Sequence, residues 1–283
     1  MHGIAARHSV RVTVVQNAPR LGDVEGNLAA CVVQLDRAAA GGSDLVVFPE
    51  CALSGYMLSD EQSARNCADR VPGHLTGTLG AACQRMGLHC VVGMLETEGS
   101  TLYNTAVLIG PEGVIGRYRK SHIACIGVDR FTAPGNDSYE VFDTPVGRIG
   151  LQICYDWRFP EITRVLALDG AEMILHPTNS PVPAREIAEY ITRARAAENA
   201  VFFVTANRCG SESGTAFFGW SQIVDPLGRR VAEAGAEETM ITADLDLRLA
   251  RAKIIEPQQG GYNVALFEDR RPELYSRLVQ SDS

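Results

Sequence analysis

Short apolar runs rich in β-branched residues alternate along the chain with longer segments of helical periodicity. Branched side chains suit a pleated, half-buried surface, so these runs predict strands. The predicted strands cover residues 10–16, 45–48, 89–95, 105–109, 148–154, 173–175, 201–206 and 219–224. The predicted helices cover residues 25–40, 77–86, 160–168 and 184–199. This alternation of strand and helix predicts the α/β class.

Three turn sequences interrupt this alternation and predict antiparallel hairpins. Each contains proline and glycine, and they lie at residues 110–113, 144–147 and 225–228. The sheets are therefore expected to be mixed. No linker and no internal repeat divides the chain, so a single domain over residues 1–283 is predicted. The polar tail that begins near residue 257 carries scattered apolar anchors and is a candidate for packing on a partner subunit.

Composition narrows the classes of function. The chain has 283 residues, of which 46% are hydrophobic, enough for one large core. A net charge of -8 disfavours nucleic acid, since phosphate binding needs clustered Lys and Arg. No apolar run reaches the ~20 residues of a membrane helix, and residues 1–9 lack a secretion-type apolar segment. We therefore expect a cytoplasmic protein that acts on a small molecule.

The eight cysteines argue against both a metal site and a disulfide framework. They show no Cys-x-x-Cys pair and no regular spacing, as expected in a reducing compartment. Seven of them are interpreted as small core residues. A zinc site is therefore not expected.

The eighth, Cys154, ends an apolar strand and is followed within a few residues by a helix that begins at Pro160. A strand-to-helix turn of this kind exposes a nucleophile beside backbone N–H groups that can bind an oxyanion. Taken alone, however, a cysteine after an apolar strand is more often a structural thiol.

Two further strand ends carry charged residues. Glu50 follows the apolar strand 45–48 and Pro49, and the next six residues are unusually apolar for a surface turn. A partly desolvated Glu50 could act as a base, and the alternative is a solvated loop acid. Lys120 lies in Tyr-Arg-Lys-Ser-His, where it could stabilise an anion or belong to a basic edge strand.

The three motifs occur in an order that resembles the carbon–nitrogen hydrolase (nitrilase-like) superfamily. Glutamate follows Phe-Pro, lysine lies in Tyr-Arg-Lys-Ser-His, and cysteine lies in Ile-Cys-Tyr-Asp. Other matches extend the similarity over roughly residues 10 to 245, leaving 246–283 as a C-terminal extension that could lie at a dimer interface. The additional matches are Asn104, Glu198, Asn199, Asn207 and the segment 219–228.

The resemblance implies a four-layer α-β-β-α sandwich with two mixed β-sheets, which commonly forms homodimers or higher homo-oligomers. It implies no metal and no organic cofactor. It also implies that Cys154 is the nucleophile, Glu50 the general base and acid, and Lys120 the stabiliser of the tetrahedral intermediate. Many members carry a second glutamate that orients the lysine. Here the matching segment offers Asp129, which either serves with a shorter reach or pairs with Arg130 as a loop acid.

The resemblance favours the amidase and ω-amidase branches, because nitrile-cleaving members commonly have Trp-Glu after the cysteine and this chain has Tyr155-Asp156. Carbamoyl-amide and nitrile substrates stay open. Arg158 could bind a substrate carboxylate or pair with Glu161 or Asp156. The other candidates are the backbone N–H of Tyr155 for the oxyanion, Asn179 at a strand end, His122 beside the lysine, and Trp157, Tyr56 and Phe131 as apolar walls or, more often, core residues.

Three rival interpretations concern the whole protein. A papain-like hydrolase would use a histidine as base, with His122, His176, His74 or His89 available. A catalytically silent scaffold of the same fold would keep the motif residues as packing. An acyl transferase of the same chemistry would pass the acyl group to an amine instead of water. The order of glutamate, lysine and cysteine disfavours the first, and three intact motif positions disfavour the second.

Overall fold

A computed structural model describes residues 8–253 and 264–280 of the chain. Two six-stranded sheets and two helical layers organise these residues. The strands are β1 (Ser9–Gln16), β2 (Leu45–Val47), β3 (His89–Glu98), β4 (Thr101–Gly110), β5 (Gly113–Arg119), β6 (Val141–Thr144), β7 (Gly147–Leu151), β8 (Met173–Thr178), β9 (Phe202–Asn207), β10 (Cys209–Glu212), β11 (Thr215–Phe218), β12 (Gln222–Val224), β13 (Arg230–Glu233) and β14 (Thr239–Asp246). The helices are α1 (Val24–Ala40), α2 (Glu61–Asn66), α3 (His74–Met86), α4 (Pro160–Leu168), α5 (Arg185–Asn199) and α6 (Arg248–Arg251).

The two sheets have the same pattern of strand directions. The first runs β14-β1-β2-β3-β4-β5 and the second β6-β7-β8-β9-β12-β13. In each sheet three parallel strands lie in the middle, namely β1 to β3 and β7 to β9, and antiparallel strands flank them. Both sheets are therefore mixed, as predicted. β10 and β11 form a separate hairpin.

The sheets pack face to face, and helices cover their outer faces. Val12 and Leu45 of the first sheet share one apolar cluster with Leu151 of the second, and the cluster continues to Leu166 of α4. A second cluster lies between the first sheet and the helices α1 and α3. This order of layers confirms the predicted four-layer α-β-β-α sandwich.

Local sequence signals explain where several helices begin and end. The side chain of Asp23 accepts a hydrogen bond from the N–H of Gly26 at the start of α1. Gly87 ends α3 in the left-handed conformation, and Pro160 occupies the first turn of α4. All four predicted helices are present, and α4 has the predicted bounds.

Several sequence predictions needed correction. The strand predicted over 148–154 ends at Leu151, because a 3₁₀ turn (Cys154–Arg158) takes over before α4. The short helix α2, the hairpin of β10 and β11, and β14 were not predicted. β14 pairs with β1 along its whole length, but it is an edge strand whose side chains are mostly exposed or half-buried, so it lacks an apolar run.

Part of the predicted C-terminal extension lies outside the described residues, at 254–263 and 281–283. Its described part contains two 3₁₀ turns, Pro272–Leu274 and Ser276–Val279. The ring of Phe267 lies 5.1 Å from the guanidinium of Arg164 on α4. This part of the tail therefore packs against the helical layer of its own chain.

Candidate active site

Glu50 lies at the end of β2, where the backbone passes very close to β3. A Cβ atom placed on Gly93 of β3 would come within 2.5 Å of the Glu50 Cα and 2.6 Å of the Pro49 carbonyl oxygen. Only glycine permits this approach without a shift of the backbone. The Glu50 side chain is completely buried.

Lys120 leaves β5 and reaches two carboxylates. Its Nζ donates to Glu50 Oε1 at 2.8 Å and to Asp129 Oδ2 at 2.5 Å, and its side chain is 0% exposed. Burial alone would lower the pKa of Lys120, but the surrounding acidic groups, Glu50 first and Asp129 among them, together outweigh it and raise that pKa well above its usual value. The lysine is therefore a permanent cation in this site.

Asp129 occupies the place expected for the second acid. It belongs to a 3₁₀ turn, Gly127–Arg130, that begins with Gly127 at a φ of +56° directly against the Tyr56 ring. The hydroxyl of Tyr56 donates to Asp129 Oδ2 at 3.2 Å. Asp129 thus contacts Lys120 despite its shorter side chain, and no ion pair between Asp129 and Arg130 occurs in the described structure.

Asn104 on β4 joins the two carboxylates. Its Nδ2 donates to Glu50 Oε1 at 2.7 Å and to Asp129 Oδ1 at 2.9 Å. Its backbone carbonyl accepts from the N–H of Lys120 at 2.8 Å. One buried residue therefore contacts both carboxylates and the backbone of Lys120.

Cys154 begins the 3₁₀ turn that follows β7 and has a φ of +46°, in the left-handed region that non-glycine residues rarely adopt. The Nε2 of His176 lies 2.9 Å from the Cys154 carbonyl oxygen and hydrogen-bonds to it. Strained backbone of this kind persists only where its surroundings hold it, and it is common at functional sites. The side chain is partly exposed.

Glu50 and Cys154 flank a single backbone amide. The N–H of Asn179, which follows β8, donates to Glu50 Oε2 at 2.8 Å and also interacts with the Cys154 sulfur. The Asn179 side chain donates to the Glu50 carbonyl oxygen at 2.8 Å. The structure therefore brings together the ends of β2, β5, β7 and β8 at one place between the sheets.

Burial controls the proton affinities in this cluster. It raises the pKa of the Cys154 thiol to about 12, with a further contribution from the charge of Glu50. Burial also raises the pKa of Glu50, together with the nearby Asp129, while Lys120 and Asn104 oppose the rise. The resting site thus contains a neutral thiol beside a carboxylate whose affinity for a proton is increased.

Asp156 connects the nucleophile turn to the strand that carries the lysine. Its Oδ2 accepts from the Tyr118 hydroxyl and from the N–H of Ile153, both at 2.8 Å. Its Oδ1 accepts from His122 Nδ1 at 2.8 Å, and the His122 ring stacks on Phe159 at 3.7 Å. His122 thus contacts Asp156, and His176 contacts the Cys154 carbonyl oxygen, so the two histidines closest to the site have structural partners.

The remaining candidates divide into exposed and buried residues. Arg158 is exposed, and the expected pairing with Asp156 or Glu161 is absent from the part of the chain that the structure describes. Tyr155 is 36% exposed and contacts Phe159 edge-on. The aromatic candidates Trp157 and Tyr56 are buried, whereas Phe131 is partly buried.

The cysteine interpretation holds for six residues and fails for one. Six of these cysteines are buried, namely Cys31, Cys51, Cys67, Cys83, Cys90 and Cys209. Cys125 is exposed because it lies in the loop after Lys120, where its φ is +32°.

No group of three potential metal ligands occurs within residues 8–253 and 264–280. Over the same residues, no helix is long and apolar enough to cross a membrane.

Sequence reasoning missed three contributors. Asn104 was noted as a motif match without a role, Asp156 only as a possible partner of Arg158, and His176 only as a possible base. Asp156 does carry a signal, since an acid two residues after the nucleophile can accept from the turn's own N–H groups. The contacts of Asn104 and His176 depend on strand pairing, which the sequence does not specify.

The chain is similar to several known proteins. The Carbon-nitrogen hydrolase family model matches residues 11–254. A protein named Nitrilase from Pyrococcus abyssi is 37% identical over 95% of this chain and 100% of its own length. Omega-amidase NIT2 of Xenopus tropicalis is 34% identical over 88% and 91%. A solved variant of the amidase from Nesterenkonia sp. AN1, with acrylamide added at its active-site cysteine, aligns with a TM-score of 0.79 at 25% identity over 95% of this chain and 100% of that one.

Proposed function

Because the chain belongs to the carbon-nitrogen hydrolase family, we propose that it hydrolyses a small non-peptide amide through a thioester on Cys154. The products are ammonia or an amine and a carboxylic acid. The main support is the shared N–H of Asn179, which holds the Glu50 carboxylate beside the sulfur of Cys154. A base close to a nucleophile is the arrangement that covalent acyl transfer requires.

In the first half of the proposed cycle, Glu50 removes the thiol proton and the Cys154 sulfur attacks the amide carbonyl carbon. The Lys120 ammonium and the backbone N–H of Tyr155 stabilise the negative charge that develops on the carbonyl oxygen. Glu50 then returns its proton to the leaving nitrogen. The carbon–nitrogen bond breaks, and a thioester remains on Cys154.

In the second half, Glu50 removes a proton from water, and the resulting hydroxide attacks the thioester carbonyl. The carbon–sulfur bond breaks, the carboxylic acid leaves, and the proton held by Glu50 returns to Cys154. One carboxyl group therefore alternates between base and acid, which suits a pKa raised by burial above that of a solvated glutamate.

Asp129 is proposed to orient the lysine in place of a second glutamate. Its contact with Lys120 and its hydrogen bonds from Tyr56 and Asn104 support this role. Arg158 is a candidate for binding a substrate carboxylate, since it is exposed and has no ion-pair partner among the described residues. Trp157 is buried against Ala188 and Phe218 and is better explained as packing.

The test measures ammonia release from panels of small amides, N-carbamoyl compounds and nitriles, with intact-mass detection of a thioester. Cys154→Ala should abolish both signals, while Cys125→Ala, which removes an exposed thiol, should leave both unchanged. Preference for carbamoyl compounds or nitriles would move the substrate class within the family, the latter towards the Pyrococcus relative. No turnover and no adduct on Cys154 would favour a silent scaffold.

A cytoplasmic homodimer or higher homo-oligomer is also proposed. Large apolar side chains are exposed both on α4, at Val165 and Leu168, and on the tail that packs on the helical layer, at Leu274 and Leu278. Exposed apolar surface can mark an interface between subunits. Sedimentation velocity with Leu168→Glu tests the proposal, because a charge there should dissociate a dimer formed through this layer.

A further inference from the structure

The amide of Asn104 lies between the two buried carboxylates of the site. Both of its N–H groups are used, one towards Glu50 Oε1 at 2.7 Å and the other towards Asp129 Oδ1 at 2.9 Å. Its Oδ1 lies 3.8 Å from the Cys51 sulfur, within the range of a weak thiol hydrogen bond. The side chains of Asn104, Glu50 and Asp129 are all buried, so water does not replace the hydrogen bonds between them.

The charges of the cluster explain why such a residue is needed. Two carboxylates and one ammonium lie together, so the site carries one excess negative charge when Glu50 and Asp129 are both ionised. Like charges at close range disfavour ionisation, and a hydrogen bond donated to a carboxylate favours it. Lys120 donates to both carboxylates, and Asn104 donates to the remaining oxygen of Asp129 and again to Glu50.

We propose that Asn104 is a positioning residue that holds Glu50 and Asp129 at a fixed separation around Lys120 and thereby keeps Glu50 able to accept a proton near neutral pH. The inference deepens the proposed function and rests on it for its kinetic test. The other titratable groups that face this cluster are Cys51 from the loop after β2, Tyr56 from the same loop, and Cys154 from the nucleophile turn.

Two substitutions should act in opposite directions. Asn104→Leu keeps the approximate shape of the side chain but removes both donors, so Glu50 should bind its proton more tightly. Asp129→Asn removes the neighbouring negative charge, so Glu50 should bind its proton less tightly. A general loosening of the site would instead change both variants in the same direction.

The experiment compares the dependence of kcat/KM on pH in these two variants and in Thr105→Val. Thr105 is the next residue on β4, is buried, and donates to Glu96 rather than to the site. The acid limb of the profile should move up by about one pH unit for Asn104→Leu, the size expected when a hydrogen bond to a charged group is lost. It should move down for Asp129→Asn and stay in place for Thr105→Val.

A second measurement does not depend on any substrate. The rate of Cys154 alkylation by iodoacetamide is followed against pH by peptide mass spectrometry, and the exposed Cys125 in the same sample serves as an internal reference. At low pH the alkylation rate should follow deprotonation of Glu50, the base that removes the thiol proton, so the acid limb of the Cys154 profile should move in the same directions while the profile of Cys125 stays unchanged. This measurement remains informative if no amide is turned over.

The results separate the inference from the proposed function. Unchanged midpoints in Asn104→Leu, or shifts of the same sign in both variants, would overturn the role of Asn104 even if Cys154→Ala abolishes turnover. If Asn104→Leu does not fold, Asn104→Ala provides the same test, because alanine also lacks both donors. Loss of turnover in Cys154→Ala alone says nothing about Asn104, so each idea can fail independently.

Discussion

The buried His176 should make the stability of this protein depend on pH. Burial lowers the pKa of His176 from 6.5 to about 4, and its ring is held by a hydrogen bond to the Cys154 carbonyl oxygen. A base whose pKa is lowered on folding stabilises the folded state above its unfolded pKa. That stabilisation is lost as the pH falls from the unfolded value towards the folded one. The two pKa values imply a loss of about 2 kcal/mol between about pH 7 and about pH 5.

Urea unfolding of the wild type and of His176→Gln at several pH values in this window measures the effect. Glutamine can donate to the same carbonyl oxygen but does not titrate, so the carboxylates of the protein contribute equally to both curves. The free energy of unfolding should fall more steeply with decreasing pH in the wild type, by about 2 kcal/mol over the window. Parallel curves would show that His176 does not titrate as its burial requires, and would refute the reasoning.

Three other perturbations follow from the contacts of the site. Gly93→Ala should displace Glu50, lowering both kcat and Tm, whereas Gly77→Ala on the open face of α3 should stabilise by up to about 1 kcal/mol. Lys120→Met should abolish turnover and lower Tm most at high pH, where the unpaired carboxylates must ionise; equal Tm losses across pH would contradict this. Glu212→Gln should cost about 3 kcal/mol in chemical denaturation, because buried Arg208 loses its 2.7 Å ion pair; a loss below about 1 kcal/mol would contradict this.

The sequence predicted the elements of the fold well wherever an apolar run or a helical pattern was complete. The parallel strands and the four main helices were identified because their side chains are buried on at least one face, and the three hairpin turns because each contains proline and glycine. β14 was missed for the opposite reason, since it gains its place by pairing with β1 and few of its side chains are buried. Backbone pairing leaves little trace in composition.

In the candidate site, too, some residues could be identified from the sequence and others only from the pairing of strands. Glu50, Lys120 and Cys154 stood out as charged or nucleophilic residues at the ends of apolar strands, but only the resemblance to the family favoured catalytic roles for them. Asn104 lies inside β4, where an amide has no obvious purpose until β5 pairs with β4 and brings Lys120 against it. Of the two interpretations of Arg158, the pairing with Asp156 does not occur, because that acid is turned inward towards Tyr118 and His122.

The repeated strand order of the two sheets explains why the site forms where it does. Glu50 follows β2, the central parallel strand of the first sheet, and Asn179 follows β8, the central parallel strand of the second. When the sheets pack face to face, the two strand ends meet, and two hydrogen bonds join the residues that follow them. Each bond joins a backbone group of one residue to the side chain of the other, so the junction depends on a glutamate and an asparagine at these two strand ends. The proposed chemistry further requires a thiol after the neighbouring strand β7 and a cation after β5 that contacts the acid.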